Sequence, residues 1–477
     1  MSLPPPPPPA IKPTTDVVFT HAASSSTGSA QTVVVATRGS TSTTTALNKP
    51  MMEESTRDPI PDGGIRAWLV VLGGFLDFAI AFGLVNSFGT FQAVYESQWK
   101  ASTSTVTWIG SVQLFILFLG GTVCGSAFDK WGSRKLMLSG TVICLISFIA
   151  TSFATKYYQY LLAQGILFGI GNAMLFYPAT GAISEWFDQK RGLALGLALS
   201  GASVGGIIWP LIVGKLFTVV STAWVHRIIA AISIPILLVS CFFVKERKAS
   251  EHTPASNTAA TATDITATNN ETTPTTPAKQ TIKDVISEWR FLALCAALFF
   301  IYGGMLIPFY YIPLFAMEQG VNPTMANNLL AIGYAGSVVG RVSSGWIADR
   351  VGRFNVLLVV AIGTGIVTVC WVKMTSFGAM VASTILFCLF SGGLIPLGSA
   401  CVAQTTTDMQ NIGLRIGVMM TICSFAALRG GPISGYIKDN GGSWFGVYAF
   451  SAGGTLLGAV MLLAVRLCSQ KKWNAVV

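Results

Sequence analysis

Charge is scarce in this chain. Only 10% of its 477 residues are Asp, Glu, Lys or Arg, against about 25% in ordinary soluble domains. That scarcity excludes a soluble globule. Histidines number three and acids 20, so few groups are available to take up and release a proton. The nine cysteines fall in apolar stretches or on one side of them, and none lies in the loops of the other side. A disulfide framework and a metal site are therefore not expected. No nucleophile–base pair stands out either, so neither an enzyme nor a cofactor is expected. The first residues lack an apolar core, which speaks against a cleavable signal peptide.

Long apolar runs are what the chain has in quantity. Apolar residues make up 52% of it, and runs of ~20 such residues read as membrane-spanning helices. Twelve can be placed, at 67–94, 106–128, 136–154, 158–180, 192–217, 227–244, 290–315, 325–347, 356–373, 377–403, 414–437 and 444–467. The net charge of +10 does not imply nucleic acid, because its distribution is one-sided. With the N-terminus inside, 22 of the 30 Lys and Arg lie on the inner side and 5 in outer loops. Lys215, Arg341 and Arg429 fall within spans. This asymmetry predicts that both termini are cytoplasmic.

One stretch repeats. Gly125 to Lys135, GSAFDKWGSRK, returns as Gly345 to Asn355, GWIADRVGRFN. Gly125 pairs with Gly345, Asp129 with Asp349, Lys130 with Arg350 and Gly132 with Gly352, all at an offset of 220. A repeat of this kind predicts two copies of one helical unit. A short turn between antiparallel helices needs glycine where φ goes positive. The two aspartates can meet the positive N-terminus of a neighbouring helix. Lys130, Arg134, Lys135, Arg350 and Arg353 are expected to hold the loops on the cytoplasmic side. These residues form the expected cytoplasmic gating loops.

The domain pattern follows. Residues 1–66 read as a disordered cytoplasmic tail with a PPPPPP run, a solvated spacer or a ligand for a proline-recognition domain. Residues 67–244 and 289–467 are six-helix halves, 245–288 a disordered cytoplasmic loop, and 468–477 a short cytoplasmic tail. The sequon at Asn270 should stay bare in a cytoplasmic loop. Gly192, Gly196 and Ser200, then Gly201 and Gly205, put small residues at every fourth place, as close helix packing requires. The G-x-S-x-G match at 201–205 lies mid-helix, outside the strand–turn–helix context that motif needs. Pro308 and Pro313, among Phe309, Tyr310 and Tyr311, predict either a broken helix lining a cavity or an aromatic belt.

Ionisable residues in hydrocarbon cost roughly 2.5–3.5 kcal/mol at a helix centre and are functional candidates. At ~1.5 Å per residue, Arg341 lies about 12 Å from Asp349, Arg429 about 21 Å from Arg415, and Asp77 about 13 Å from Trp68. Two positive charges against one negative would suit an anionic cargo, and a guanidinium offers a planar fork to a carboxylate or enolate. The bland alternative is a structural Asp77–Arg341 pair, with Arg429 bonded to backbone carbonyls. Lys215 is close enough to the outer edge to snorkel.

The repeated loop resembles the signature loop of the major facilitator superfamily. Asp62-Gly63-Gly64-Ile65-Arg66-Ala67-Trp68 looks like the opening motif of the monocarboxylate porter family, with Ile65 in an aromatic place and one extra residue before the tryptophan. Trp186 to Gly201, WFDQKRGLALGLALSG, resembles that family's motif entering span five. Phe187, Arg191, Leu193, Ala194, Gly196, Ala198 and Gly201 match it. The resemblance runs from 60 to 467 and is nearest to the family's fungal branch. It implies an all-α membrane protein with twelve transmembrane helices in two six-helix halves, a central cavity and alternating access. In the family's lactate symporters a span-one lysine and a span-eight Asp-x-x-x-Arg pair carry cargo and proton. Here Asn86 and Ser337 stand at the lysine and aspartate, and Arg341 keeps the arginine, which speaks against lactate–proton symport.

The reading is a secondary transporter for a small organic anion or weakly acidic metabolite, exporting a fungal secondary metabolite. The alternatives are import of a monocarboxylate or of a vitamin such as riboflavin, and a non-transporting membrane sensor. The short stretch after Leu467 favours transport over sensing. Arg341, Arg429, Asn86 and Ser337 are the substrate-binding candidates and Asp77 the proton-coupling candidate. Expected partners are the small-molecule substrate, the lipid bilayer and protons, without nucleic acid. The expected location is the plasma membrane, with a vacuolar or other internal membrane as the alternative.

Overall fold

In hydrocarbon every backbone N–H and C=O must be satisfied within the protein, so apolar runs become helices. A computed structural model of the chain describes residues 62–247, 282–406, 411–439 and 443–469. The expectations for the proline-rich tail, for most of the central loop with Asn270, and for the residues after Ser469 lie outside the described residues. At the described edges of the segments expected to be disordered the chain is ordered, since a helix starts at Ile65 and another covers Ile282–Ser287. Within them there is no strand.

The helices run in chain order as α1 (Ile65–Asn86), α2 (Phe88–Trp99), α3 (Thr103–Leu119), α4 (Gly121–Trp131), α5 (Ser133–Phe153), α6 (Tyr157–Tyr160), α7 (Phe168–Trp186), α8 (Arg191–Val219) and α9 (Thr222–Phe243). After the central loop come α10 (Ile282–Ser287), α11 (Trp289–Glu318), α12 (Pro323–Val351), α13 (Arg353–Cys370), α14 (Phe377–Gly392), α15 (Leu394–Thr405), α16 (Ile412–Asp439) and α17 (Trp444–Ser469). A π-helical turn, Leu161–Leu167, joins α6 to α7.

Several spans are bent rods. α1 passes into α2 at Ser87, whose hydroxyl donates to the Gly83 carbonyl at 2.6 Å. α3 meets α4 at a 43° bend, and α14 meets α15 at Gly393. Among the described residues ten rods are long and apolar enough to cross a membrane, and the bent α3–α4 pair makes an eleventh. α12 completes the twelve. Its 29 residues suffice in length, but Asn327, Asn328, Arg341, Asp349 and Arg350 make it less apolar. The fold is that of an all-α membrane protein with two six-helix halves.

The turns of the repeat are tight. Gly132 links α4 to α5 at φ 79°, and Gly352 links α12 to α13 at φ 103°. An L side chain is strained in that region, so both turns need glycine. The face of the bundle that carries them is called the basic face below. There the chain leaving α9 folds back on α5. The Glu246 carboxylate accepts from the Ser133 N–H at 2.8 Å and from its hydroxyl at 2.5 Å. Burial pushes the Glu246 carboxyl up, but these bonds outweigh it and hold the group below its ordinary value.

The prolines of α11 do not break it. The helix runs without interruption from Trp289 to Glu318 with Pro308 and Pro313 inside. The glycine stripe of α8 serves two neighbours. Gly201 and Gly205 lie against the Phe75 and Ala79 carbonyls of α1, with no room for a Cβ, while Gly192 and Gly196 lie against α12.

Candidate functional site

Two seams join the halves on the basic face, and the repeated aspartates close both. Asp129, on α4, accepts from the N–H groups of Gly413 at 3.0 Å and Leu414 at 2.8 Å. Those are among the first N–H groups of α16, which have no partner within their own helix. Asp349, on α12, does the same for α8: Gly192 and Leu193 each donate to it at 2.8 Å. Each carboxylate thus meets the positive end of a helix from the opposite half. A net 1.5–3 kcal/mol, roughly, is typical for a hydrogen bond to a charged group.

Glycine permits that approach. Gly125 lies on the Gly413 carbonyl, Gly417 on that of Gly121, and Gly345 on that of Gly192, none with space for a Cβ. Further along α4, the Thr122 N–H and hydroxyl both donate to Thr421 Oγ1, at 3.0 and 2.9 Å. The Thr421 hydroxyl in turn donates to the Leu119 carbonyl at 3.1 Å. The two seams are not identical. Arg353 sits 3.5 Å from Asp349 and donates to the Asp188 carbonyl, whereas Ser133 stands at the matching position of the first half. Lys130, Arg134 and Arg350 are exposed on the basic face.

The two motifs that open the resemblance meet in space. The Asp62 carboxylate accepts from the Asp188 N–H at 2.6 Å, and the Trp68 ring meets the Phe187 ring edge-on at 5.1 Å. This contact orders the turn that starts α8.

Above the α8–α12 seam lies a polar cluster. Leu199, Ala202, Ser203 and Gly206 form one face of α8, at the spacing that puts side chains in line. The Leu199 carbonyl accepts from Arg341 at 2.5 Å, and the Ala202 carbonyl from Asn86 at 3.2 Å. Ser203 donates to the Ser337 hydroxyl at 3.1 Å, which also accepts from Arg341 Nε at 3.3 Å. The Tyr334 ring sits against Gly206, with Asn86 beside it, and stacks on Phe309 at 6.2 Å. Three of the four binding candidates, Asn86, Ser337 and Arg341, are thus gathered on one face of α8. Arg341 spends two of its five N–H donors on protein and, among the described residues, faces no carboxylate.

Arg429 makes none of these bonds. It lies half-buried on α16, with its guanidinium 4.6 Å from the Phe299 ring centre and 5.3 Å from that of Phe300. It is a cation on an aromatic platform rather than a donor to backbone carbonyls.

Asp77 lies apart from this cluster. Nine residues separate it from Asn86, two and a half turns of helix, so the two point to opposite sides of α1. Asn86 faces α8. Asp77 is fully buried, and neither oxygen has a hydrogen-bond partner. Its neighbours include Cys144 of α5 and Cys241 of α9. The alternative of a structural Asp77–Arg341 pair is therefore not realised, because each residue faces a different set of helices.

Sequence reasoning missed the partners of the repeated loop. Gly413 and Gly417 repeat Gly192 and Gly196 at an offset of 221, and the same signal that found the aspartates would have found them. Ser203 and Tyr334 carry no such mark; only the packing of α8 on α12 selects them.

Known proteins bear on this geometry. The family model of the Major Facilitator Superfamily matches residues 69–375 and 318–474. The chain is 40% identical to the MFS-type transporter pynF of Aspergillus niger, over 90% of this chain and 96% of that one. It is 33% identical to the aspyridones efflux protein apdF of Emericella nidulans, covering 86% and 80%. With the agnestins efflux protein AgnL12 of Paecilomyces divaricatus the identity is 34%, covering 84% and 88%. Among solved structures, the fucose transporter FucP in the outward conformation superposes with a TM-score of 0.62 at 16% identity, over 85% of this chain and 99% of that one. That likeness concerns the fold.

Proposed function

The chain belongs to the major facilitator superfamily, a membrane transporter and not an enzyme, and we propose that it exports a small organic anion or weakly acidic secondary metabolite by alternating access. The observation that carries this reading is Arg341. It is an intramembrane guanidinium at the joint of α1, α8 and α12, with unused donors and no carboxylate partner among the described residues. A fixed cation in low dielectric attracts an anion far more than the same charge in water. Its fork suits a carboxylate or enolate. Asn86 and Ser337 orient the cargo from α1 and α12, and Arg429 adds a second cation. The efflux names of the relatives at 33–34% identity favour export over import. The motif at 62–68 and that at 186–201 favour the monocarboxylate porter branch.

The basic face is cytoplasmic on this reading, both termini included, and the membrane is the plasma membrane. The two aspartate seams then close the cytoplasmic side. Cargo loads when they part and leaves when they re-form.

Asp77 carries the coupling proton. An unpaired ionised carboxylate at such a buried place costs several kcal/mol, so the packing around it suits the neutral acid. Coupling then runs through α1, which bears Asp77 on one side and Asn86 on the other, rather than through direct contact with Arg341.

Untargeted metabolite profiling inside and outside cells, with and without the gene, tests the reading. Export predicts organic acids that accumulate inside and vanish from the medium when the gene is deleted. Unchanged distributions of all acidic metabolites would contradict it.

A further inference from the structure

A groove on the flank of α12 has no part in the seams or in the polar cluster. It is about 340 Å³ in volume and lies between α12, α13 and α14. Gly340, Ile347 and Val351 line it from α12, and Val356, Val359 and Phe390 from the other two helices. Its formation follows from packing. Gly340 lies against the Leu389 carbonyl with no room for a Cβ, so α12 and α14 touch there. Phe390 in turn covers Gly363 of α13. The groove opens outward, away from α8. Val359 is 61% exposed and Val351 54%.

Its basic end is charged. Arg350 lies one residue before Val351, with its guanidinium 3.7 Å from the Trp346 ring centre. Among the described residues it makes no ion pair, unlike Arg353 three residues on. Asn355, which lines the groove, accepts from Arg466 of α17. An apolar slot whose lining residue Val351 adjoins Arg350 and whose lining residue Asn355 holds Arg466, with the exposed Trp346 under the Arg350 guanidinium, has the chemistry of a lipid site. Basic pockets between spans hold anionic headgroups, and tryptophan rings favour headgroup depth.

We infer that this groove binds one anionic phospholipid of the basic-face leaflet, its acyl chain between α12, α13 and α14 and its phosphate at Arg350. The first half is built differently. At the offset of 220, Ser126 replaces Trp346 and Trp131 replaces Val351, so the matching flank lacks the aromatic shelf under its cation. α12 also carries Arg341, Gly345 and Asp349 toward α8 on another face. An occupant that braces α12 against α13 and α14 thus acts on the helix that bears a seam.

The test is native mass spectrometry of the full-length protein, released from nanodiscs made with equal dioleoyl-phosphatidylserine and dioleoyl-phosphatidylcholine. The wild type should retain one phosphatidylserine in at least fivefold preference. Arg350→Gln should abolish the preference, Val359→Trp should abolish retention of either lipid by filling the mouth, and Lys130→Gln should change nothing. Both Arg350 and Val359 are exposed, so the variants keep the fold. Equal retention of the two lipids by the wild type would overturn the site. So would undiminished retention in Val359→Trp, or a loss in Lys130→Gln as large as in Arg350→Gln.

Discussion

Asp129 and Asp349 do with one side chain each what a helix cap does, but across the boundary between the halves. Each holds two N–H groups at the start of α16 or α8. Asparagine in their place keeps one acceptor oxygen and loses the charge. At roughly 1.5–3 kcal/mol for each charge-assisted bond, and tenfold for about every 1.4 kcal/mol, the double variant Asp129→Asn, Asp349→Asn shifts the closed–open balance by at least tenfold. Spin labels on Arg134 and Arg290, both exposed on the basic face, read it as a longer distance population. An unchanged distribution would remove the aspartates from gating. Asp77 makes the opposite case, a carboxylate whose lack of any partner is the informative fact. Asp77→Asn is close in shape to the neutral acid, so the fold should persist. Gradient-driven transport should fall to the level seen without an imposed proton gradient. Accumulation that still follows the gradient in this variant would rule Asp77 out as the coupling group.

At the scale of elements, seam packing depends on glycine against backbone. Gly125→Val and Gly345→Val place branched side chains against the Gly413 and Gly192 carbonyls, where no Cβ fits. Both should leave helix content unchanged by circular dichroism yet keep the basic face open and stop turnover. Wild-type turnover in either variant would contradict the seam geometry. The helices themselves were legible in sequence because a membrane imposes length and apolarity, and each predicted run falls within a few residues of its rod. The repeated loop was legible too, since duplication leaves an offset in the chain. Which helix each aspartate caps was not, because that depends on how the halves dock. The polar cluster was half legible. Asn86, Ser337 and Arg341 are unusual in a span, but Ser203 and the Leu199 carbonyl look like any other part of an apolar helix. The alternative of an Asp77–Arg341 pair fails because a charge count has no direction, whereas nine residues of helix turn a side chain to the opposite flank.

For the whole molecule, the polar cluster and the seams share α8 and α12. The Arg341 guanidinium, proposed to bind the anion, also donates to the Leu199 carbonyl across the α8–α12 boundary. A bound anion competes for that donor, and so cargo occupancy and the seam act on the same residues. Transport must then depend on positive charge at this point. The direct measurement is efflux of the metabolite identified by profiling, from cells with equal membrane levels of wild type, Arg341→Gln, Arg341→Lys and Arg429→Gln. The account predicts that Arg341→Gln lowers efflux tenfold or more, that Arg341→Lys restores part of it, since lysine keeps the charge and lacks the fork, and that Arg429→Gln has a smaller effect of the same sign. Efflux by Arg341→Gln equal to that of the wild type would contradict an anion site at the joint of the two halves.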